Sequence, residues 1–113
     1  MHELSITQNM LDLVLEEAKK ARAERVKRIN LVIGEMSGVV DQSVEFYFEF
    51  LSKDTIARGA TLSFRNVPTE VRCRSCGEVF NPKEFDWSCP KCQGSGAEIT
   101  AGNELYVESI EVE

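Results

Sequence analysis

From Glu3 to Arg22, apolar residues recur at Leu4, Leu11, Val14, Leu15, Ala18 and Ala21, with Met10 and Leu13 widening the stripe. That spacing predicts an amphipathic helix, and the basic residues Lys19, Lys20 and Arg22 gather at the end where the helix dipole favours them. This basic run reads as a solvated helix end. Val26 to Glu35 alternates instead, with Ile29, Leu31 and Ile33 on one face and Arg28, Asn30 and Val32 on the other, which predicts a half-buried strand. Gly34 and Gly38 break it. Asp41 then offers an N-cap to a short second helix in which Val44, Tyr47, Phe48 and Leu51 fall at helical spacing. Its Phe46, Tyr47, Phe48 and Phe50 read as core filling against a sheet, because no basic residues interleave them as a base-stacking surface would require.

A second strand follows at Ala60, Leu62 and Phe64, stopped by Pro68. In the last segment, from Asn103 to Glu113, Leu105 and Val107 share one parity while Tyr106, Ile110 and Val112 share the other. The phase change near Glu108 predicts a bulge or a strand covered on both faces. Between these two strands lies a module with all four cysteines, so the module is inserted rather than appended. The expected fold is α+β: two helices packed on a three-stranded sheet, with an inserted zinc-ribbon-like module held by the four cysteines. The expected boundaries are 1–68 and 103–113 for the helix-and-sheet domain and 69–102 for the insert, with hinges near Thr69 and Gly102. An insert of this size cannot bury enough apolar surface to fold alone, and Val71, Val79, Phe80, Phe85 and Trp87 would form its miniature core.

Composition sharpens this picture in two ways. The chain has 113 residues, of which 42% are hydrophobic and 28% charged, the balance of one globular domain rather than a disordered or membrane-spanning chain. Neither a secretory signal pattern nor an apolar run of membrane-spanning length is visible, so a cytoplasmic setting with reduced thiols is expected. The formal net charge is −6. Within 69–100 four basic side chains (Arg72, Arg74, Lys83, Lys91) face five acidic ones (Glu70, Glu78, Glu84, Asp86, Glu98), a balance that excludes a basic nucleic-acid-binding face.

The chemistry concentrates at two places. Cys73 and Cys76 form one Cys-x-x-Cys pair, Cys89 and Cys92 another, and twelve residues separate them. Two thiolates three positions apart bend around one ion, and two such turns supply the four soft ligands that Zn(II) prefers; a disulfide pair is the alternative. Gly77 follows the first pair where a knuckle needs positive φ, and Pro90 stiffens the second. The second place is His2, the only histidine. With a free N-terminus, the Met1 amine, the His2 backbone nitrogen and Nδ1 of His2 close chelate rings on one metal, and Glu3 can add its backbone nitrogen or carboxylate. Nitrogens in a plane suit Ni(II) or Cu(II). A solvated bystander is the other reading of such a histidine.

Met1-His2-Glu3-Leu4-Ser5, Ile33-Gly34-Glu35-Met36-Ser37-Gly38-Val39, Ile56 to Leu62, both cysteine pairs and Glu104 to Val112 together make the chain resemble the HypA/HybF family of hydrogenase maturation nickel metallochaperones. The resemblance spans essentially the whole chain. It implies a nickel-binding domain with an inserted zinc domain, transferable Ni(II) at Met1, His2 and Glu3, and structural Zn(II) at Cys73, Cys76, Cys89 and Cys92. It also implies delivery to the large subunit of [NiFe]-hydrogenase in concert with a HypB-type GTPase. No membrane or nucleic-acid partner and no enzymatic activity are expected, and the chain has no phosphate loop of its own. Two features depart from the family pattern. No histidine stands beside the cysteines, and Gln93 occupies the position where a glycine commonly follows the last cysteine, with Gly94 one place later. Rival readings are a zinc-ribbon adaptor in transcription or translation and a rubredoxin-like electron carrier, since paired knuckles also bind iron. A catalytic zinc fits worst, as four thiolates leave no open position.

Overall fold

The computed structural model describes residues 2–82, 86–94 and 96–113, and of His2 the backbone alone. The chain forms α1 (His2–Lys20), β1 (Val26–Gly34), a short 3-10 turn (Glu35–Ser37), α2 (Asp41–Leu51), β2 (Thr61–Val67), β3 (Glu70–Cys73), β4 (Val79–Phe80), β5 (Ala97–Ala101) and β6 (Leu105–Val112). Among the described residues no helix is long and apolar enough to cross a membrane.

Two compact units emerge, and the chain crosses between them at 32/33, 38/39, 65/66 and 104/105. The first contains both helices. Its core gathers Met10, Leu11, Val14 and Ala18 from α1, Val26, Ile29 and Leu31 from β1, and Val44 and Phe48 from α2, with Ala57 from the loop that follows. β1 is the centre of a sheet ordered β2-β1-β6. Arg25 and Glu113 exchange backbone hydrogen bonds at one end while the Gly34 N–H donates to the Glu104 carbonyl at the other, so β1 and β6 run antiparallel. Val32, grouped by alternation with the polar side, is only 1% exposed, so β1 is covered on its second face as well towards that end. Val107, Ile110 and Val112 all pack against the same core despite a three-residue step between the first two, so the strand changes phase around Glu108 as its pattern suggested.

The second helix departs from expectation in two respects. Asp41 is its first residue, not its cap; Val40 is the N-cap and makes no side-chain capping bond. Of the aromatics, only Phe48 is buried in the core, whereas Phe46 and Phe50 are 69% and 72% exposed. An eleven-residue helix can turn one stripe inwards, and α2 turns Val44 and Phe48, leaving the next row outside.

The second unit comprises Ile33–Gly38 and Asn66–Glu104. It holds a sheet of its own, β4-β3-β5, in which β3 pairs antiparallel with both neighbours and the β3–β5 register shifts at Glu70/Val71. Strands this short, at four, two and five residues, leave no readable period in the sequence. The expected miniature core is thinner than its residue list. Val71 is buried, Phe80 and Trp87 are partly so, Val79 is 49% exposed, and Phe85 lies outside the described residues.

A backbone knot ties the unit together at its base. Met36 N–H donates to the Gly102 carbonyl at 2.7 Å, the Thr69 hydroxyl donates to Glu35 Oε1 at 3.0 Å, and Asn81 Nδ2 donates to the Thr69 carbonyl at 2.8 Å. Thr69 and Gly102 are pressed together here: a Cβ on Gly102, whose φ is +115°, would stand 2.8 Å from the Thr69 Cα. A Cβ on Gly34 would stand 2.1 Å from the Gly102 oxygen. Gly34→Ala must therefore separate two backbones and is expected to cost at least about 3 kcal/mol in urea denaturation. Gly38→Ala, with φ +77° but nothing within 4 Å, should cost only about 1 kcal/mol; equal costs at both positions would exclude close approach as the cause.

Candidate metal centre

Cys73 ends β3, and Cys89 follows the short bridge at Asp86. Each opens a turn with the same bonds. Cys73 N–H donates to the Glu78 carbonyl and Gly77 N–H to the Cys73 carbonyl; Cys89 N–H donates to the Gly94 carbonyl and Gln93 N–H to the Cys89 carbonyl. The two cysteine pairs thus sit on two copies of one knuckle. Within each, the residue after the second cysteine takes positive φ, +77° at Gly77 and +60° at Gln93. Gln93 therefore adopts the left-handed conformation itself, and Gly94 serves another purpose. A Cβ on Gly94 would stand 3.2 Å from Cys92 Sγ and 3.8 Å from Cys73 Sγ, so the missing side chain lets the backbone approach the sulfurs.

The four sulfurs converge, all within 4.8 Å of one another, with Cys73–Cys92 and Cys76–Cys89 each at 3.5 Å. A tetrahedral ion with metal–sulfur bonds of about 2.3 Å holds its sulfurs roughly 3.8 Å apart, so donor set and spacing both fit Zn(II). Cys73 and Cys89 are buried and Cys76 and Cys92 exposed. Backbone amides point at the sulfurs. The Cys76 and Ser75 N–H groups bring the Cys73 thiol down to about 6 against the opposing effect of burial, and the Cys92 and Lys91 amides lower Cys89. Cys76 has the Glu78 amide lowering it, but burial and the neighbouring sulfurs outweigh this and push it up to about 12. Cys92 is likewise raised, the Cys73 sulfur overcoming the Gly94 amide.

The structure brings the four predicted cysteines together. Met1 and the His2 side chain lie outside the described residues. Glu3 is half-buried in the first turn of α1, where the buried Thr7 hydroxyl donates to its carbonyl. Among the described residues no other group of three or more histidine, cysteine or carboxylate side chains is placed to hold a metal. Thr69, Gly34 and Gly102, which anchor the base of this unit, gave no chemical signal in the sequence, although the glycines could have been questioned for close approach.

Comparison with known proteins bears on the same residues. A family model described as "Hydrogenase/urease nickel incorporation, metallochaperone, hypA" matches residues 1–112. The chain is 52% identical over 113 residues to a hydrogenase maturation factor HypA of Dehalococcoides mccartyi, covering all of this chain and 95% of that one. It is 46% identical to the factor of the same name from Caldanaerobacter subterraneus, with both chains covered completely. Among solved structures, that of the Ni metallochaperone HypA from Helicobacter pylori superposes with a TM-score of 0.68 at 31% identity, covering 99% of this chain and 97% of that one.

Two outcomes are expected of the cysteine unit. Replacing Gln93 by glycine relieves a left-handed side-chain residue and should stabilise the zinc-loaded protein by about 1 kcal/mol in chemical denaturation; no gain would mean that Gln93 carries no strain. Zinc affinity should weaken as pH is lowered because the ion displaces thiol protons. Cys73 is lowered to about 6, so it is already ionised above that pH and adds its own proton to the exchange below it. Competition against a chromophoric chelator should thus show a steeper decline below about pH 6, and a constant slope would contradict the lowered thiol.

Proposed function

Because the chain belongs to the HypA family of nickel-incorporation metallochaperones, we propose that it binds one Ni(II) through Met1, His2 and Glu3 and delivers it for maturation of a [NiFe]-hydrogenase. The single observation that carries this reading is the whole-length family match, which begins at the residues able to chelate. A second observation supports it. The helix α1 starts at His2, and the first four N–H groups of any helix have no acceptor one turn back. The backbone nitrogen of His2 can therefore be given to a metal without breaking an intrahelical bond.

The same position makes the ion removable. The positive end of the helix dipole disfavours a dication, and this cost is offset only by the negative charge of deprotonated amides and of Glu3. Protonation of the α-amine, whose ordinary pKa lies near neutrality, releases one ligand and weakens the site as pH falls. A planar site favours Ni(II) over Zn(II), while the thiolate cage does the reverse. On this reading Cys73, Cys76, Cys89 and Cys92 hold a resident Zn(II), which supplies a fixed tetrahedral centre for the second unit. The partners are a HypB-type GTPase and the hydrogenase large subunit, and the setting is the cytoplasm. The family description also covers urease, but the relatives from Dehalococcoides and Caldanaerobacter are named for hydrogenase maturation.

Calorimetry and elemental analysis of untagged protein test the assignment together. His2→Ala is expected to abolish specific Ni(II) binding and to leave one zinc per chain. An N-terminal extension that blocks the amine should weaken nickel binding in the same way. Unchanged nickel affinity in His2→Ala would sink the N-terminal site, and loss of zinc along with nickel would show that the two metals do not occupy independent sites.

A further inference from the structure

The two close sulfur contacts of the cysteine cluster both cross from one knuckle to the other. Cys73 Sγ lies 3.5 Å from Cys92 Sγ, and Cys76 Sγ lies 3.5 Å from Cys89 Sγ. Within the second knuckle it is the Cys92 amide that donates to Cys89 Sγ, also at 3.5 Å. Exposure divides the same pairs: Cys76 and Cys92 are exposed, while their partners Cys89 and Cys73 are buried. Each contact thus sets a sulfur that an oxidant can reach against one that it reaches poorly. No further cysteine stands in the chain to compete for either.

We propose that the four cysteines are also a redox switch, in which hydrogen peroxide joins Cys73 to Cys92 and Cys76 to Cys89 and thereby releases the ion. The inference rests on the resident Zn(II) proposed above. The exposed thiolate attacks a peroxide oxygen, the O–O bond breaks, and hydroxide leaves as that sulfur becomes a sulfenic acid. The buried partner then attacks the sulfenic sulfur, forming the S–S bond and displacing a second hydroxide. Each pair gives up two electrons and reduces one peroxide to two hydroxides, so four thiolates become two disulfides and the ion leaves as free Zn(II). A bond of about 2 Å asks each pair to close by roughly 1.5 Å. Even one such bond leaves only two thiolates for a four-coordinate ion, and the insert has no histidine to replace the lost pair.

The pairing decides what becomes of the second unit once the ion has gone. Bonds inside each Cys-x-x-Cys would leave the knuckles unconnected. Bonds between the knuckles, with 19 and 13 positions between the joined residues, take over the cross-link that the ion supplies. The unit therefore keeps its fold without metal, and reduction returns the same four ligands to their places. While the thiols stay reduced the ion stays too.

Hydrogen peroxide added in excess to the full-length, untagged, zinc-loaded protein beside a chromophoric zinc chelator tests the proposal. Trypsin cuts after Arg74, Lys83 and Lys91, so the four cysteines fall on separate peptides and mass spectrometry reads their pairing directly. The expected result is loss of one zinc per chain, with peptides joined as Cys73 to Cys92 and Cys76 to Cys89. A thiol reductant followed by zinc should restore the metal content. The oxidised protein should also keep the far-UV circular dichroism of the zinc-loaded form, which the reduced, zinc-stripped chain should lose. Bonds within either Cys-x-x-Cys, sulfinic acids without bonds, or zinc retained in excess peroxide would each overturn the proposal, as would a spectrum that collapses on oxidation. A protein isolated without zinc would defeat the resident-zinc reading, while the pairing, read on the reduced chain, still decides this one.

Discussion

Among the described residues the second unit has little to bury, and its own cross-links answer that shortage. Among the described residues its buried side chains are Ile33, Thr69, Val71, Cys73 and Cys89, while the first unit packs a core of ten buried residues. At about 25 cal/mol per Å² of apolar surface, so small a core falls short of the conformational entropy of ordering the chain around it. Cross-links must take over, and the unit has one at each end. At the tip, four sulfurs converge to within 4.8 Å. At the base, Gly34, Gly102 and Thr69 bring three backbone segments into direct contact, closed by the bonds of Met36, Glu35 and Asn81. The strand end Ile33–Gly34 belongs to this unit because it is one wall of that contact.

How much of this could be read beforehand follows from how local each cause is. The stripe of α1 and the alternation of β2 are set by each segment's own burial, and both are legible. Val32 is not, because its burial is set by what lies over the second face of β1, which alternation within the strand cannot express. Phe46 and Phe50 misled for the converse reason: hydrophobicity says what a side chain prefers, and the inward stripe of α2 was already filled by Val44 and Phe48. The cysteine ligands were legible as spacing, but Gln93 was not, since an amide side chain in the left-handed region is dictated by the knuckle's paired backbone bonds rather than by its own propensity. Gly34 read as a strand break and Gly102 as a hinge, and only the approach of another backbone shows that they are contacts.

The two metal sites on the proposed reading differ in what surrounds them. Every sulfur of the cage has backbone amides or a neighbouring thiol aimed at it, and these donors orient the ligands before an ion arrives, as the outer hydrogen bonds of metal sites do. The twinned knuckles also bring the four sulfurs to spacings that suit a tetrahedral ion. The N-terminal chelate has the opposite character. On that reading its ligands would gather at the start of α1, the positive end of the helix dipole.

Discrimination between the two ions then rests on geometry more than on affinity. Intrinsic preference for divalent metals rises to copper and does not favour nickel over zinc at thiolates, so a carrier relying on affinity alone would fill its cage with whichever ion was abundant. Converging four soft ligands on a tetrahedron gives zinc a site it has no reason to leave. On the proposed reading, nickel would be offered a plane of nitrogens from which an acceptor could withdraw ligands one at a time. Separating these demands requires two sites that do not share a ligand. The sequence supplies the two donor types from separate places, one histidine at position 2 and four cysteines within the second unit.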